Sequence, residues 1–174
     1  SAKFTAARDY IYNHSASFST LYIPEGREGV NTYYFLTTLT FDKNIKILGD
    51  GVFNMPKTML SWPQNITCIR LPSTNSAHIN IEDLAISQSS ENKKPDSNAH
   101  GIDVNTFVHL KNIYVSYVSG NGFNIRACAD KGSPIFGNAD QSVLENCQTY
   151  DCMNGLWLEG CDVNVVSVTN CSFV

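Results

Sequence analysis

Two carboxylates, two arginines and a tryptophan occupy matching places in short segments of this chain that otherwise read alike. The segments are Thr67-Cys68-Ile69-Arg70-Leu71, Gly101-Ile102-Asp103-Val104-Asn105, Gly122-Phe123-Asn124-Ile125-Arg126 and Gly155-Leu156-Trp157-Leu158-Glu159. Apolar residues alternate with the others, the period of a strand with one buried face. Aligned on that period, Arg70, Asp103, Asn124 and Trp157 form one outward column, and Asn105, Arg126 and Glu159 a second. An oligosaccharide site needs such a set. Tryptophan offers a flat apolar face to a sugar ring. Arginine and asparagine donate hydrogen bonds to hydroxyls or carboxylates. Asp103 and Glu159 are the candidate acid and base. They lie two strands apart at about 4.8 Å per strand, near the upper, inverting end of the ~5–9.5 Å range over which paired carboxyls straddle a glycosidic bond. The bland alternative is a solvated sheet face on which Asp103 pairs with Arg70 or Arg126. His100, just before a Gly-led strand, is a further candidate base at the groove mouth. His14, His78 and His109 share no metal-ligand spacing with it, and Lys93-Lys94 reads as a solubilising loop charge.

What must position these residues is a second pattern, written four times, over residues 79–86, 108–115, 142–149 and 166–173. Each copy is two short alternating strands around one Asp or Asn: Asp83, Asn112, Asn146 and Asn170. A repeat of this kind implies stacked coils of parallel strand. Each coil then carries three strands: the Gly-led one, the one before the Asn and the one after it. Ile69, Ile102, Phe123 and Leu156 face inward, followed by Leu71, Val104, Ile125 and Leu158. The Asp/Asn positions stack as a ladder whose amides bond from coil to coil, a structural role. Coil lengths vary through two polar connections, residues 87–100 and 127–141, and such insertions often border a binding face.

Upstream, Phe4, Ala7, Tyr10 and Ile11 recur at helical spacing and predict a short amphipathic helix over residues 2–13. Leu21-Tyr22-Ile23 reads as a strand running into Pro24-Glu25-Gly26, and Asn44-Ile45-Lys46-Ile47-Leu48 as a strand running into Gly49-Asp50-Gly51. That glycine pair reads as a bend needing positive φ. Neither a following helix nor a Lys-Ser/Thr completes a phosphate loop.

The 174 residues suffice for one domain with its own core. Apolar residues at 43% and charged residues at 16% suit a β-rich chain and argue against disorder. A net charge of -4 gives no general attraction to nucleic acid or to an anionic membrane. No apolar run is long enough to cross a bilayer. The first residues do not begin a secretory signal, and export stays open. Six cysteines invite a disulfide reading. Cys147 and Cys171, however, fill the inward slot held by Leu84 and Ile113, where a thiol acts as a small hydrophobe. Cys152 and Cys161 flank a strand and suit either state. No CxxC pair exists and no metal or cofactor is expected. Asn13, Asn65 and Asn170 begin Asn-x-Ser/Thr triplets, the last a chance match inside the repeat.

The helix, the Leu21–Gly26 and Asn44–Gly51 segments and the Asn-centred repeat together resemble the right-handed parallel β-helix of the pectate-lyase-like superfamily, which includes pectate-lyase-type enzymes and phage tailspikes. The resemblance covers nearly the whole chain. It implies an all-β solenoid over residues 19–174 with an N-terminal cap helix over 1–18. It places a sugar groove on the Gly-led sheet, and an extracellular, cell-surface or virion setting. The superfamily's catalytic signatures are missing: Asn105-Thr106 is followed by Phe107, neither Asp-Asp nor Gly-His-Gly occurs, and no calcium-binding Asp cluster is visible. No catalytic residue is therefore carried over. The expected partner is a polysaccharide or oligosaccharide, held by Arg70, Asn124, Arg126, Trp157 and His100. The enzyme version is a glycan lyase or glycoside hydrolase using Asp103 and Glu159. The rival is a non-catalytic structural or adhesive module, such as part of a tailspike or surface protein. Cys171-Ser172-Phe173-Val174 stops inside a strand, so further C-terminal coils or a homo-oligomer such as a trimer are expected to cover that end.

Overall fold

The structure is a computed structural model that describes residues 2–14, 19–25, 32–52, 57–73, 78–89, 95–96 and 98–174. Gly26 and six residues of the polar connection, 90–94 and 97, Lys93-Lys94 among them, lie outside the described residues, as do residues 15–18 at the end of the expected cap.

The chain is mostly β with one short helix. After α1 (Ala2–His14) come β1 (Ser19–Tyr22), β2 (Thr32–Tyr34), β3 (Leu39–Thr40), β4 (Ile45–Leu48), β5 (Met59–Trp62) and β6 (Ile69–Leu71). Then follow β7 (Ile79–Gln88), β8 (Ile102–Val104), β9 (Val108–Ser116) and β10 (Asn121–Arg126). The last are β11 (Val143–Glu145), β12 (Gln148–Tyr150), β13 (Asn154–Glu159), β14 (Ser167–Thr169) and β15 (Ser172–Phe173). Every pairing between these strands is parallel. One sheet runs β3-β6-β8-β10-β13. The other runs β1-β4-β7-β9-β11-β14, with β2 and β5 joining at β7 and β12 and β15 joining at β9.

The branch points sit at the Asp/Asn positions. Asp83, Asn112, Asn146 and Asn170 have φ of 60°, 52°, 54° and 54°. Asn and Asp enter this left-handed region more readily than other residues with a Cβ. One such residue swings the strand, so the two halves of β7 find different partners: residues 79–82 pair with β4, and residues 85–88 with β5. β9 lies on β7 along both halves. The corners are bonded to one another. Asn112 Nδ2 donates to Asp83 Oδ1 at 2.7 Å, and Asn146 Nδ2 to Asn112 Oδ1 at 3.2 Å.

Inward side chains meet their equivalents one strand away. Ile47, Ile81, Leu110, Leu144 and Val168 follow in register, as do Ile69, Ile102, Phe123 and Leu156. Most are buried in one apolar cluster, each full side chain contributing about 1.5–3 kcal/mol. The glycines leading β10 and β13 let the sheets close together. A Cβ on Gly122 would lie 2.6 Å from Thr149 Cγ2, and one on Gly155 would lie 2.3 Å from Phe173 Cβ. Gly51 takes the positive φ (121°) expected of the bend.

Two expectations are corrected. Ala7 and Tyr10 are exposed, Tyr10 stacking on His14, while Phe4, Ile11 and Tyr12 pack against the core. Leu158 is exposed because β13 is the last strand of its sheet and no further strand covers it. The six cysteines, whose state the sequence leaves open, are all free thiols. The thiol of Cys147 does lie in the core slot, where burial pushes its pKa up to about 12, and burial raises that of Cys68 as well.

If the corners hold the stack, Asn112→Ala loses two ladder bonds at about 1 kcal/mol each and places an alanine in the left-handed region, for about 3 kcal/mol in all. Asn112→Gly keeps the backbone free and is expected to lose about 2 kcal/mol. Urea unfolding of the two variants measures the difference. Equal losses would show that the corner conformation carries none of the stability.

Candidate functional site

The Gly-led strands bring the expected residues together by register. Arg70 lies opposite Asp103, Asp103 opposite Asn124, and Asn124 opposite Trp157. Arg126 lies opposite Glu159, and Asn105 Nδ2 donates to the Arg126 carbonyl at 2.6 Å.

The column is not the open row expected from the sequence. Asp103 is 3% exposed, and Asn105, Asn124 and His100 are buried as well. Asp103 is the hub. Its Oδ1 accepts from Asn124 Nδ2 at 2.7 Å and Arg126 Nη2 at 3.3 Å, while its Oδ2 faces Arg70 Nε at 3.8 Å. The relay continues outward: Asn121 Nδ2 donates to Asn124 Oδ1 and Asn154 Nδ2 to Asn121 Oδ1, both at 2.8 Å. Because a carboxylate only accepts, Asp103 fixes which way each amide points. The solvated-face expectation that Asp103 pairs with an arginine therefore describes the geometry, with burial added.

Over this network lies a depression of about 340 Å³, lined by His100, Asn121, Arg126, Asn154, Trp157 and Glu159 among others. Asp103 is not part of its lining. Trp157 is 45% exposed, and its indole N–H donates to Glu159 Oε2 at 3.2 Å. Arg126 leaves Nε without a partner. Glu159 is offset from Asp103 by two strands and two residues, about 12 Å between Cα atoms.

His100 is held neutral. Burial, the largest influence, lowers its pKa and outweighs the attraction of Asp103, while Arg126 lowers it further. Its Nδ1 accepts the backbone N–H of Asn121 at 3.2 Å, a bond that a protonated ring cannot accept. Of the other histidines, His109 faces Glu145 at 3.8 Å and His78 packs edge-on against Phe107. Among the described residues no group of three or more His, Cys, Asp or Glu side chains is placed to hold a metal ion.

Asn121 and Asn154 line the depression and were missed in the sequence. The signal was present: His100, Asn121 and Asn154 each stand immediately before the leading glycine, a third aligned column. No protein-family model matches this chain, and neither a curated protein nor a solved structure matches it.

The lowered pKa of His100 gives stability a signed pH dependence. The unfolded chain takes up the proton first, near pH 6.5, so stability falls as the pH drops below that value and His100 adds no slope above about pH 7.5. His100→Asn keeps an acceptor for Asn121 and removes the titration. Urea midpoints at pH 5.5 and 7.5 are expected to differ less in the variant than in the parent chain. Identical differences would show that His100 titrates alike in both states.

Proposed function

We propose that this chain is a right-handed parallel β-helix of the pectate-lyase-like kind that binds polysaccharide along the sheet β3-β6-β8-β10-β13. Parallel pairing throughout, and the return of each strand type to its own sheet, support the fold. The single observation that carries the function is an exposed indole at the rim of a depression lined by amide and guanidinium donors. Trp157 offers the apolar face of a sugar platform. Arg126 and Asn154 line the depression beside it, and the relay on Asp103 holds the amides in fixed orientation, so little side-chain freedom is lost when a ligand binds.

Binding without cleavage is the reading we carry. To act as acid or base with Glu159, Asp103 must first leave Asn124 and Arg126 and come out into the depression. As a positioning residue it stays where it is. The non-catalytic structural module, by contrast, finds no support in the exposure of Trp157, since loop 127–141 leaves the indole open.

A glycan array tests this with the parent chain beside a Trp157→Ala, Arg126→Ala double variant. The parent is expected to retain one class of glycan, and the variant to lose at least tenfold in affinity, about 1.4 kcal/mol. A folded parent chain that retains nothing on the array would overturn the proposal, as would binding that the variant keeps in full.

A further inference from the structure

Beyond the end of β10 and β13 the chain continues in register. Arg126 lies opposite Glu159, so Cys128 falls opposite Cys161 two residues later. The backbones there are fastened on both sides: Ala127 N–H donates to the Glu159 carbonyl at 3.0 Å, and Asp162 N–H to the Ala127 carbonyl at 3.2 Å. Gly160, at φ 113°, lets the chain press onto Ala127, where a Cβ would lie 1.9 Å from the carbonyl oxygen. The outcome is two thiols whose Sγ atoms are 3.2 Å apart, Cys161 exposed and Cys128 half-buried.

We propose that Cys128 and Cys161 are a disulfide-forming pair that closes into an intramolecular bridge on contact with a small-molecule disulfide. Neighbouring parallel strands lie about 4.8 Å apart, inside the ~4.4–6.8 Å Cα spacing a disulfide requires. Bringing the sulfurs to bonding distance takes a movement of about 1 Å. The reaction balances with glutathione disulfide as oxidant. The Cys161 thiolate attacks one of its sulfurs, breaks the S–S bond and releases one glutathione thiolate. The Cys128 thiolate then attacks Cys161 Sγ and displaces the second glutathione. Two protein thiols are oxidised, two glutathione thiols are formed, and the protons of Cys128 and Cys161 pass through solvent to the released thiolates.

The other cysteines are controls. Cys147 and Cys171 are equally well aligned and share a side-chain hydrogen bond, but each sulfur is also held by carbonyls: Cys147 Sγ by those of Leu110 and Glu145, Cys171 Sγ by those of Leu144 and Thr169. The raised pKa of Cys147 keeps it a thiol. The bridge ties together the strand ends that carry Arg126 and Glu159, yet it stands independently of any ligand in the depression.

The folded chain is incubated with glutathione disulfide at about pH 9, because the hydrogen bond shared with Cys128 raises the Cys161 thiol. Remaining thiols are alkylated and the peptides mapped by mass spectrometry. The thiol count is expected to fall by two, with one cross-linked peptide joining Cys128 to Cys161, and the melting temperature to rise by roughly 10 °C. Cys128→Ser is expected to keep a glutathione adduct on Cys161 and to form no bridge. An unchanged thiol count, a lasting glutathione adduct on the parent chain, or a bridge to any other cysteine overturns the proposal. So does a Cys128→Ser variant whose Cys161 takes no adduct.

Discussion

Everything in this molecule depends on the left-handed corners at Asp83, Asn112, Asn146 and Asn170. A strand that ran straight through them would pair with one neighbour along its whole length. Turned at these residues, it serves two. The cost of the left-handed backbone falls on the residue types that bear it most easily. The ladder of side-chain bonds then links Asn112 to Asp83 and Asn146 to Asn112. Once the corners are aligned, the apolar residues on either side have no choice of partner, and register is fixed for the whole stack.

Register is also what builds the depression. Residues far apart in sequence become neighbours because each is at the same place in its own strand. The chemistry that results is set by one buried carboxylate. Asp103 draws in Asn124 and Arg126, and through Asn124 it orients Asn121 and Asn154. Buried polar groups are tolerated when every member has a partner. Here the charge is met by Asn124 and Arg126 from one strand and faced by Arg70 from another. Arg126 Nε alone of the network is left unpaired, and Trp157 and Glu159 stand at the solvent. Burial keeps His100 neutral beside the network, against the attraction of the same carboxylate.

Much of this was legible in the sequence, for a physical reason. Side chains alternate with period two, and a repeat shows which positions are equivalent, so the columns from Arg70 to Trp157 and from Arg126 to Glu159 could be written down in advance. The depth of Asp103 could not. It depends on Arg126 folding back over the carboxylate instead of reaching outward, and alternation alone carries no information about that. Leu158 matches its inward column by type and fails by position, since only the next strand could cover it. The approach of Cys128 to Cys161 was hidden because Cys128 stands just outside the repeated segment, at the start of a connection that reads as irregular. Ala7 and Tyr10 fit the helical spacing of the apolar face and still lie exposed, because the core reaches only Phe4, Ile11 and Tyr12 of the helix.

Both amide relays run the same way. Asn146 donates to Asn112 and Asn112 to Asp83; Asn154 donates to Asn121, and the path ends on Asp103. Each therefore starts late in the chain and finishes at an aspartate made earlier. In the relay bonds that cross from one strand to the next, a polypeptide leaving the ribosome N-terminus first presents the acceptor before its donor; the step from Asn121 to Asn124, within one strand, is the exception. The order of synthesis is in this sense built into these side chains: Asn112, Asn146, Asn124 and Asn154 each arrive on a strand that already carries their acceptor.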